Sequence, residues 1–359
     1  MSASANSCHK SAIWEQLTIA IPAYSRPTEL IELLDSALHL NEHPGEILIC
    51  EDYSNEREAI RAIAESFSGR FSKRGVTLTY HENSKNIGYD GNIRTLLALA
   101  RRPWVMLIGN DDLLLPDAVS IIRAGVCKFP CVDMFSCAYL KFTRSLRTTI
   151  GCTRFSNTDI VFNRNNSDSG AIVRLSGFVG GLVFRREFSE RYSTEKFDGT
   201  LYYQMYLAAH AYSQSGIAYL SAPMVASRVN NPPLFGSASA EQGVHKPGIY
   251  AAEGRAAMWV GIMAIGKFVG EAQGVALIDG IRRELSRRQS FHVYEKLSEQ
   301  GRRAVWVFTK SISAHGLLES VRMRALVLVC LIFGTQSRTL FSIARYFQAK
   351  HYRSSIVSS

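Results

Sequence analysis

The chain lacks an apolar run long enough to predict a membrane-spanning helix. Its longest clean run, residues 325–333, is far shorter than the ~20 apolar residues that a spanning helix needs. Residues 1–10 are polar and contain no hydrophobic segment of the kind found in signal peptides. From these two absences we expect a cytoplasmic protein that does not cross a membrane.

Glycine is missing from the first predicted turn between a strand and a helix, where residues 22–27 read Pro-Ala-Tyr-Ser-Arg-Pro. A dinucleotide-binding Rossmann fold needs the pattern Gly-x-Gly-x-x-Gly at this place. A sugar-nucleotide pyrophosphorylase would also have a glycine-rich loop there. The absence of these glycines argues against both classes of enzyme.

The cysteines show no pairing pattern. Their number is odd, no paired Cys-x-x-Cys spacing is present, and Cys127 and Cys131 have no histidine nearby. We therefore interpret them as reduced thiols, most of them buried, and expect neither disulfides nor a zinc site. The seven positions are Cys8, Cys50, Cys127, Cys131, Cys137, Cys152 and Cys330.

Positive charge is concentrated in the last third of the chain. Residues 250–359 hold 16 Lys and Arg against 7 Asp and Glu, whereas residues 1–249 hold 25 against 24. A basic segment of this kind implies an anionic partner such as a nucleic acid, a phospholipid surface or a phosphorylated substrate. Because the basic residues occur in no known nucleic-acid-binding motif, we expect no nucleic-acid partner.

Strand and helix patterns alternate along the first part of the chain. Connections of this length are too long for hairpins and predict right-handed crossovers in a parallel α/β sheet flanked by helices. The predicted strands are residues 17–24, 46–50, 76–81, 104–108 and 132–139, with further strands at 178–184 and 217–229. Residues 83–91 and 230–248 are predicted loops, and helices are expected from residue 250 onward.

These patterns predict three regions. Residues 1–16 form an N-terminal tail, residues 17–249 an α/β domain, and residues 250–359 a helical, basic C-terminal region.

Polar residues follow three of the predicted strands. Asp52 follows the second strand, Asn86 and Gly88 the third, and Asp111 and Asp112 the fourth. Ligands bind open α/β sheets at the carboxyl ends of the strands, where these residues should meet in one crevice.

Asp111 and Asp112 are adjacent carboxylates that repel each other unless a positive charge lies beside them. A divalent cation carrying a diphosphate would supply that charge, since hard cations take oxygen ligands from carboxylate and phosphate together. The alternative is an acidic turn without a ligand, because Asn-Asp sequences are common in turns.

Four segments resemble the motifs of family 2 glycosyltransferases: residues 19–27, 51–52, 86–92 and 107–112. The resemblance covers about residues 17–117 and extends more faintly to residue 229. It implies an inverting enzyme with the GT-A fold. The sequence is most similar to the abequosyltransferase-like branch, which builds bacterial O-antigen and related surface polysaccharide. It departs from the pattern at Gly109, where many members carry the first Asp of the metal-binding motif.

The resemblance also implies roles for individual residues. Asp52 would bind the base of the nucleotide, and Asp111 and Asp112 would contact a divalent metal, Mn²⁺ or Mg²⁺. It leaves open whether metal binding uses Asp112 alone, both carboxylates, or Asn110 as well. The full set of implied nucleotide-sugar-binding residues is Pro22, Ala23, Tyr24, Arg26, Asp52, Asn86, Gly88, Asn92, Asn110 and Asp111.

The general base of an inverting transferase is harder to assign. Phe197 and Asp198 fit a family signature, but residues 202–205 read Tyr-Tyr-Gln-Met where an acidic pair is expected. Asp198 is the candidate by default; alternatively it is a loop residue before Gly199. The missing pair leaves a second hypothesis, a catalytically inactive nucleotide-sugar-binding subunit of a polysaccharide assembly complex.

Other residues on the acceptor side carry weaker signals. Residues 180–186 resemble the acceptor-side segment of the family, in which Arg185 and Arg186 either meet a phosphate or are simply solvated. Arg228 and Asn230 resemble a segment that closes over the donor. We interpret the isolated His210 and His245 as structural or surface residues. The assignments of His210 and His245 rest only on the absence of catalytic residues near them in the sequence.

The C-terminal arginines suggest a membrane surface. Arg282, Arg283, Arg287 and Arg288 could hold the protein at the anionic inner leaflet, where a lipid-linked saccharide acceptor would be found. The alternative is a helical cap with a solvated basic face.

Overall fold

The computed structural model describes residues 12–229, 231–318 and 320–345, which form one large mixed sheet covered by helices. The predicted α/β class with flanking helices is confirmed. The strands are β1 Ala12–Ala23, β2 Glu42–Glu51, β3 Thr77–Glu82, β4 Trp104–Leu107, β5 Leu113–Leu114, β6 Met134–Phe142, β7 Thr149–Thr153, β8 Ile160–Phe162, β9 Leu182–Arg185 and β10 Ile217–Arg228.

The helices form the layers on the two faces of the sheet and the whole C-terminal region. They are α1 Pro27–Leu38, α2 Arg57–Ser72, α3 Gly88–Leu99, α4 Ala118–Lys128, α5 Gly170–Ser176, α6 Arg186–Arg191, α7 Tyr203–Ser213, α8 Ala252–Gln273, α9 Ile278–Arg283, α10 Ser290–Glu299, α11 Arg302–Ser313 and α12 Val321–Phe333. A π-helical segment, Glu284–Gln289, joins α9 to α10.

The N-terminal half of the sheet is parallel, in the order β3-β2-β1-β4. Its central strands are short apolar runs that are buried on both faces, as parallel strands usually are. The other half differs from the prediction, because β9 lies antiparallel between β4 and β6. A continuous apolar run carries no information about strand direction, so the sequence could not show this reversal.

Two boundaries differ from the predicted ones. Strand β1 begins at Ala12, so residues 12–16 of the predicted tail belong to the sheet. Helix α3 begins at Gly88, inside the predicted loop, because Gly88 adopts a φ of 83° that glycine tolerates without a steric penalty. The first turn of α3 thereby reaches the carboxyl edge of the sheet.

The C-terminal helices share a hydrophobic core with the sheet domain. One cluster of buried side chains contains Phe184 of β9, Leu207 of α7, and Trp259, Tyr294 and Phe308 of the C-terminal region. The predicted boundary at residue 250 therefore does not separate two independent cores.

One helix within the described ranges is long and apolar enough, by length and composition, to cross a membrane, although the sequence analysis found no uninterrupted apolar run of that length. It spans Val321–Arg345 and includes α12, a 3₁₀ turn at Gly334–Gln336 and residues 337–345. The sequence-based estimate counted only an uninterrupted apolar run, whereas apolar residues continue between the polar residues after Phe333. One face of this helix packs on the protein, with Met323, Cys330 and Phe341 buried.

Candidate active site

One pocket lies at the carboxyl ends of β1, β2 and β4. It brings together all eleven residues that the sequence assigns to nucleotide-sugar and metal binding. They are Pro22, Ala23, Tyr24, Arg26, Asp52, Asn86, Gly88, Asn92, Asn110, Asp111 and Asp112. With the turn after β3, residues that follow four parallel strands thus contribute to one site, as the topology of a parallel sheet requires.

Asp52 organises the turn that follows β3. Its Oδ1 accepts hydrogen bonds from Asn83 Nδ2 and from the backbone N–H of Ile87, both at 2.9 Å, and its Oδ2 accepts one from Gly88 N–H at 2.8 Å. Burial raises the pKa of Asp52 to about 6, although these hydrogen bonds favour its ionised form. The carboxylate therefore fixes the local backbone as well as facing the pocket.

Amide side chains complete this turn. Asn92 Nδ2 donates to the carbonyl of Cys50 at 3.1 Å, while Asn86 Oδ1 accepts from Gly88 N–H at 3.0 Å. A Cβ atom on Gly88 would lie 2.7 Å from Glu241 Oε1, so only glycine fits this position without a rearrangement.

Asp111 and Asp112 are held by cationic and amide groups of the protein. Asp111 Oδ2 accepts from Arg26 Nη1 and, at 2.8 Å, from Asn231 Nδ2. The backbone N–H of Arg228 donates to Asp112 Oδ1 at 2.9 Å. Burial, followed by the charge of Asp111, holds the pKa of Asp112 well above its usual range.

The remaining carboxylate oxygens converge above Gly109. Asp111 Oδ1 and Asp112 Oδ2 would each lie 3.2 Å from a Cβ atom at Gly109, and the hydrogen bonds that the described residues make to these two side chains use their other oxygens. Glycine at position 109, where the resemblance expects Asp, places no side chain beside these two carboxylate oxygens. Such a pair fits a divalent cation that takes its remaining ligands from water and a diphosphate.

No cluster of three or more His, Cys, Asp or Glu side chains suited to a metal occurs among the described residues. The two carboxylates would therefore hold a cation only together with ligands from a bound substrate.

The loop between β1 and α1 is strained where it meets these carboxylates. Ser25 and Arg26 have φ angles of 57° and 65°, which are uncommon for residues other than glycine. Asn110 Nδ2 donates to the carbonyl of Ser25 at 2.8 Å, so β4 supports the unusual turn. Strain of this kind clusters at functional sites, and here it places the Arg26 guanidinium on Asp111.

Residues 231–250 form a strap across the pocket. Glu241 fastens the strap, because its Oε1 accepts from Tyr89 N–H at 2.7 Å and its Oε2 from Gly236 N–H at 2.6 Å. The carbonyl of Pro232 accepts from Arg26 Nη2. The strap residues that line the pocket are Asn231, Pro232, Pro233, Leu234, Phe235, Glu241 and Tyr250.

Our sequence analysis treated this segment as a loop and assigned none of these residues. Only its prolines and glycines, following Arg228, pointed to a special conformation. Asn230, which we had placed with Arg228, lies outside the described residues.

Asp198 does not line the pocket. Both its carboxylate oxygens accept from the guanidinium of Arg94, with Nη2 to Oδ2 at 3.0 Å. The role of Asp198 as the general base therefore stays a prediction, and its pairing with Arg94 does not favour it. Gln204, where the family has acidic residues, is buried and contributes no carboxylate.

The carboxylate of Asp90 supports the start of α7. Its two oxygens accept from the backbone N–H groups of Leu201 and Tyr203 at 2.8 and 2.9 Å. Burial raises its pKa to about 7.

The remaining assigned residues have structural partners. Arg185 Nε donates to Asp133 at 2.9 Å and Arg186 pairs with Glu190, and neither lines the pocket, so the proposed phosphate contact is not supported. Arg228 does line it, and its Nε donates to the carbonyl of Asp111 at 2.9 Å. His210 is buried against Tyr192, and burial lowers its pKa to about 4.

The other histidine is part of the strap. The ring of His245 is buried, and its Nε2 lies 3.0 Å from the carbonyl of Gly199.

Comparison with known proteins agrees with this architecture. Residues 18–178 match the family described as Glycosyl transferase family 2. Over 105 residues the chain is 29% identical to chondroitin synthase of Escherichia coli, a stretch that covers 29% of this chain and 14% of that enzyme. The chain thus spans only a small part of this relative.

Two solved structures of S. aureus TarS 1–349 share the fold. The complex with UDP has a TM-score of 0.56 and 16% identity, with 94% of this chain and 89% of that chain covered. The complex with UDP-GlcNAc has the same TM-score and identity, covering 95% and 92%. At this identity the likeness concerns the fold alone.

The fold is of the GT-A type. The match to the family described as Glycosyl transferase family 2 covers residues 18–178, a little under half of the chain.

Proposed function

We propose that this protein is an inverting glycosyltransferase that moves a sugar from a nucleotide-sugar donor to a saccharide acceptor. The observation that carries the proposal is the convergence of Asp52, the turn at Gly88 and the Asp111–Asp112 pair in one pocket. These residues come from the ends of three strands, and the pocket joins them with Arg26 and Arg228. The relatives' names add support, since chondroitin synthase is an enzyme of polysaccharide synthesis and TarS binds UDP-GlcNAc.

The geometry suggests a division of labour within the pocket. Asp52 and the turn that it holds recognise the base, Arg26 and Arg228 face the anionic diphosphate, and Asp111 Oδ1 and Asp112 Oδ2 hold a divalent cation, Mn²⁺ or Mg²⁺. Such a cation, when bound, neutralises charge on the departing diphosphate. Donor binding must then displace Asp111 from Arg26, because one guanidinium fork cannot serve both anions fully.

The finer part of the proposal concerns the acceptor. We infer a lipid-linked saccharide of bacterial surface polysaccharide synthesis, reached from the cytoplasmic side of the membrane by an enzyme of the abequosyltransferase-like branch. The net charge of +10 supports an anionic partner. The arginines first assigned to the membrane fit this role less well. Arg282, Arg283 and Arg288 lie within ion-pair distance of Asp279, Asp168 and Glu284.

A second candidate is a nucleotide-sugar-binding subunit without catalytic activity. The pairing of Asp198 with Arg94 and the buried Gln204 favour it, because they leave the usual position of the base without a free carboxylate. This candidate and the first share the same donor pocket.

Two measurements test the proposal. Thermal shift of the purified protein against UDP-, GDP-, CDP- and dTDP-sugars, with Mn²⁺ or Mg²⁺, should show one donor that stabilises it only with the cation. Transfer and hydrolysis of that donor should then be detectable. Cation-dependent binding without any turnover would identify the inactive subunit, and the absence of binding to every donor would refute both candidates.

A further inference from the structure

The outward face of α12 is an uninterrupted apolar stripe. Val321, Ala325, Leu328 and Ile332 recur at intervals of four, three and four residues, which places them on one side of the helix. Val321, Leu328 and Ile332 are 80%, 59% and 62% exposed, while Met323 and Cys330 on the opposite side are fully buried. We call these four residues the outer stripe.

Apolar exposure extends beyond the outer stripe. Phe333, Leu340 and Ile343 are exposed further along the same helix. Helix α11 packs on α12 and exposes Trp306 to 58%. Large apolar side chains exposed on two helices that pack together indicate an interaction site.

The charge around this surface indicates the partner. Residues 300–359 contain nine Lys and Arg against Glu319 alone, so they hold +8 of the total charge of +10. Arg322 and Arg324 lie beside the outer stripe in sequence and are exposed. Within the described residues, the salt bridge that this segment makes is the one between Arg345 and Glu295. Among the described residues of this segment, Arg322, Arg324 and Arg338 are exposed and make no salt bridge, so they present positive charge to the solvent.

We propose that α11 and the helix Val321–Arg345 dock this protein on an anionic phospholipid bilayer, with the outer stripe in the interface. Amphipathic helices with basic flanks bind membranes in this way, through apolar burial and attraction to anionic lipid. The helix lies on the membrane and does not span it. Its inner face, with Met323, Cys330 and Phe341, is already committed to the protein core.

Only the role of docking, which is to hold the donor pocket near a lipid-linked acceptor, rests on the proposed function. The binding itself needs no donor and no catalysis. A failure of transfer activity and a failure of docking can therefore be told apart.

The intrinsic fluorescence provides a direct readout. The protein has four tryptophans, and Trp14, Trp104 and Trp259 are buried, so a change on vesicle binding reports Trp306. With vesicles of phosphatidylcholine and phosphatidylserine at low salt, we expect the protein to co-float and its emission to shift to shorter wavelength. Trp306→Phe should abolish the shift. Vesicles of phosphatidylcholine alone should bind at least tenfold less protein.

Paired variants test the surface itself. Leu328→Ser with Ile332→Ser should lower the bound fraction at least tenfold, and Arg322→Gln with Arg338→Gln should weaken binding at low salt and make it less sensitive to added salt. The controls are Ile150→Ser, whose side chain has the same 62% exposure as Ile332, and Arg144→Gln with Arg164→Gln, which remove two exposed charges elsewhere. Both controls should bind as wild type does, and every variant should keep its thermal shift with donor.

Two results would overturn the proposal. The first is wild-type protein that stays unbound with anionic vesicles at low ionic strength. The second is a lipid-free dimer, seen in sedimentation velocity, that the Leu328→Ser and Ile332→Ser pair dissociates. That dimer would assign the outer stripe to a second copy of the chain.

Discussion

Asp112 has a raised pKa, which matters in the free protein, and a carboxylate oxygen that suits a cation, which matters when a cation is bound. Its carboxyl is buried beside Asp111, which raises its pKa, yet its Oδ2 faces the space above Gly109 that suits a cation. In the free protein the side chain therefore tends to keep its proton. A cation must replace that proton, so cation binding becomes stronger as the pH rises.

The variant Asp112→Asn separates these two properties. An acid with a raised folded pKa contributes stability below its unfolded pKa, and that contribution is lost as the pH rises through the folded value. Asparagine does not titrate, so the melting temperature of the variant relative to that of wild type should increase as the pH rises. The same variant should lose cation-dependent donor binding and at least about 100-fold in turnover. Unchanged donor binding in EDTA for wild type would contradict the assigned role.

Asp52 is expected to act on donor affinity more than on turnover. Asp52→Ala leaves the N–H groups of Ile87 and Gly88 without their acceptor, at a cost of about 1–3 kcal/mol for each buried group. The KM for donor should rise more than kcat falls. Since the pKa of Asp52 is about 6, the wild-type KM should also rise as the pH falls below that value. Steady-state kinetics between about pH 5 and 8 would check both, and an abolished kcat with normal KM would refute the assignment.

At the scale of elements, the strap formed by residues 231–250 links the two ends of the pocket. It reaches Asp111 through Asn231 and the start of α3 through Glu241. Its prolines limit the conformations of the free segment, so a few hydrogen bonds suffice to order it. Opening of the strap would expose the pocket to donor.

Glu241→Ala should therefore loosen the strap without unfolding the domain. Hydrogen exchange at the amides of Tyr89 and Gly236 should accelerate at least tenfold, because these N–H groups lose their acceptor. Gln242→Ala is the matched control, since its side chain donates only to the nearby Ser237 carbonyl and is exposed. Equal exchange in the two variants would show that Glu241 does not fasten the strap.

The elements that the sequence predicts well are those whose own residues form a clear local pattern of apolar and polar positions. Strand β4 is a short apolar run followed by polar residues, and α1 has a stripe of buried leucines such as Leu30 and Leu34. The pocket was predictable because strand ends in a parallel sheet share an edge.

The failures share one cause, which is a partner distant in sequence. Arg94, which neutralises Asp198, lies 104 residues away, and Glu241 lies 152 residues from Tyr89. Neither local pattern nor spacing reports such a contact. Helices α5 and α7 were not predicted for the same reason. Each is buried by neighbours on several sides, so its sequence shows no amphipathic pattern.

At the scale of the whole molecule, the C-terminal helices complete the core of the sheet domain. Helix α8 packs on α7, and Trp259 of α8 meets Phe308 of α11 at a ring-centroid distance of 5.2 Å. A continuous core predicts one cooperative unfolding transition.

Trp259→Ala should lower the free energy of unfolding by about 3–5 kcal/mol, as expected for truncation of a buried aromatic side chain. Far-UV circular dichroism and loss of donor binding should report the same denaturation midpoint in wild type and variant. Ile31→Ser on the exposed side of α1 is the control and should change the midpoint little. Two separate transitions would show that the C-terminal region folds on its own.

The Arg26–Asp111 salt bridge also bears on how a reaction cycle would end. After sugar transfer the pocket would hold a nucleoside diphosphate, whose phosphates need the same guanidinium. Each time this product dissociates, Asp111 is available to take its place on Arg26. In the proposed function Asp111 would thus act as an intramolecular competitor for any diphosphate on Arg26, and this competition would weaken the binding of donor and product alike.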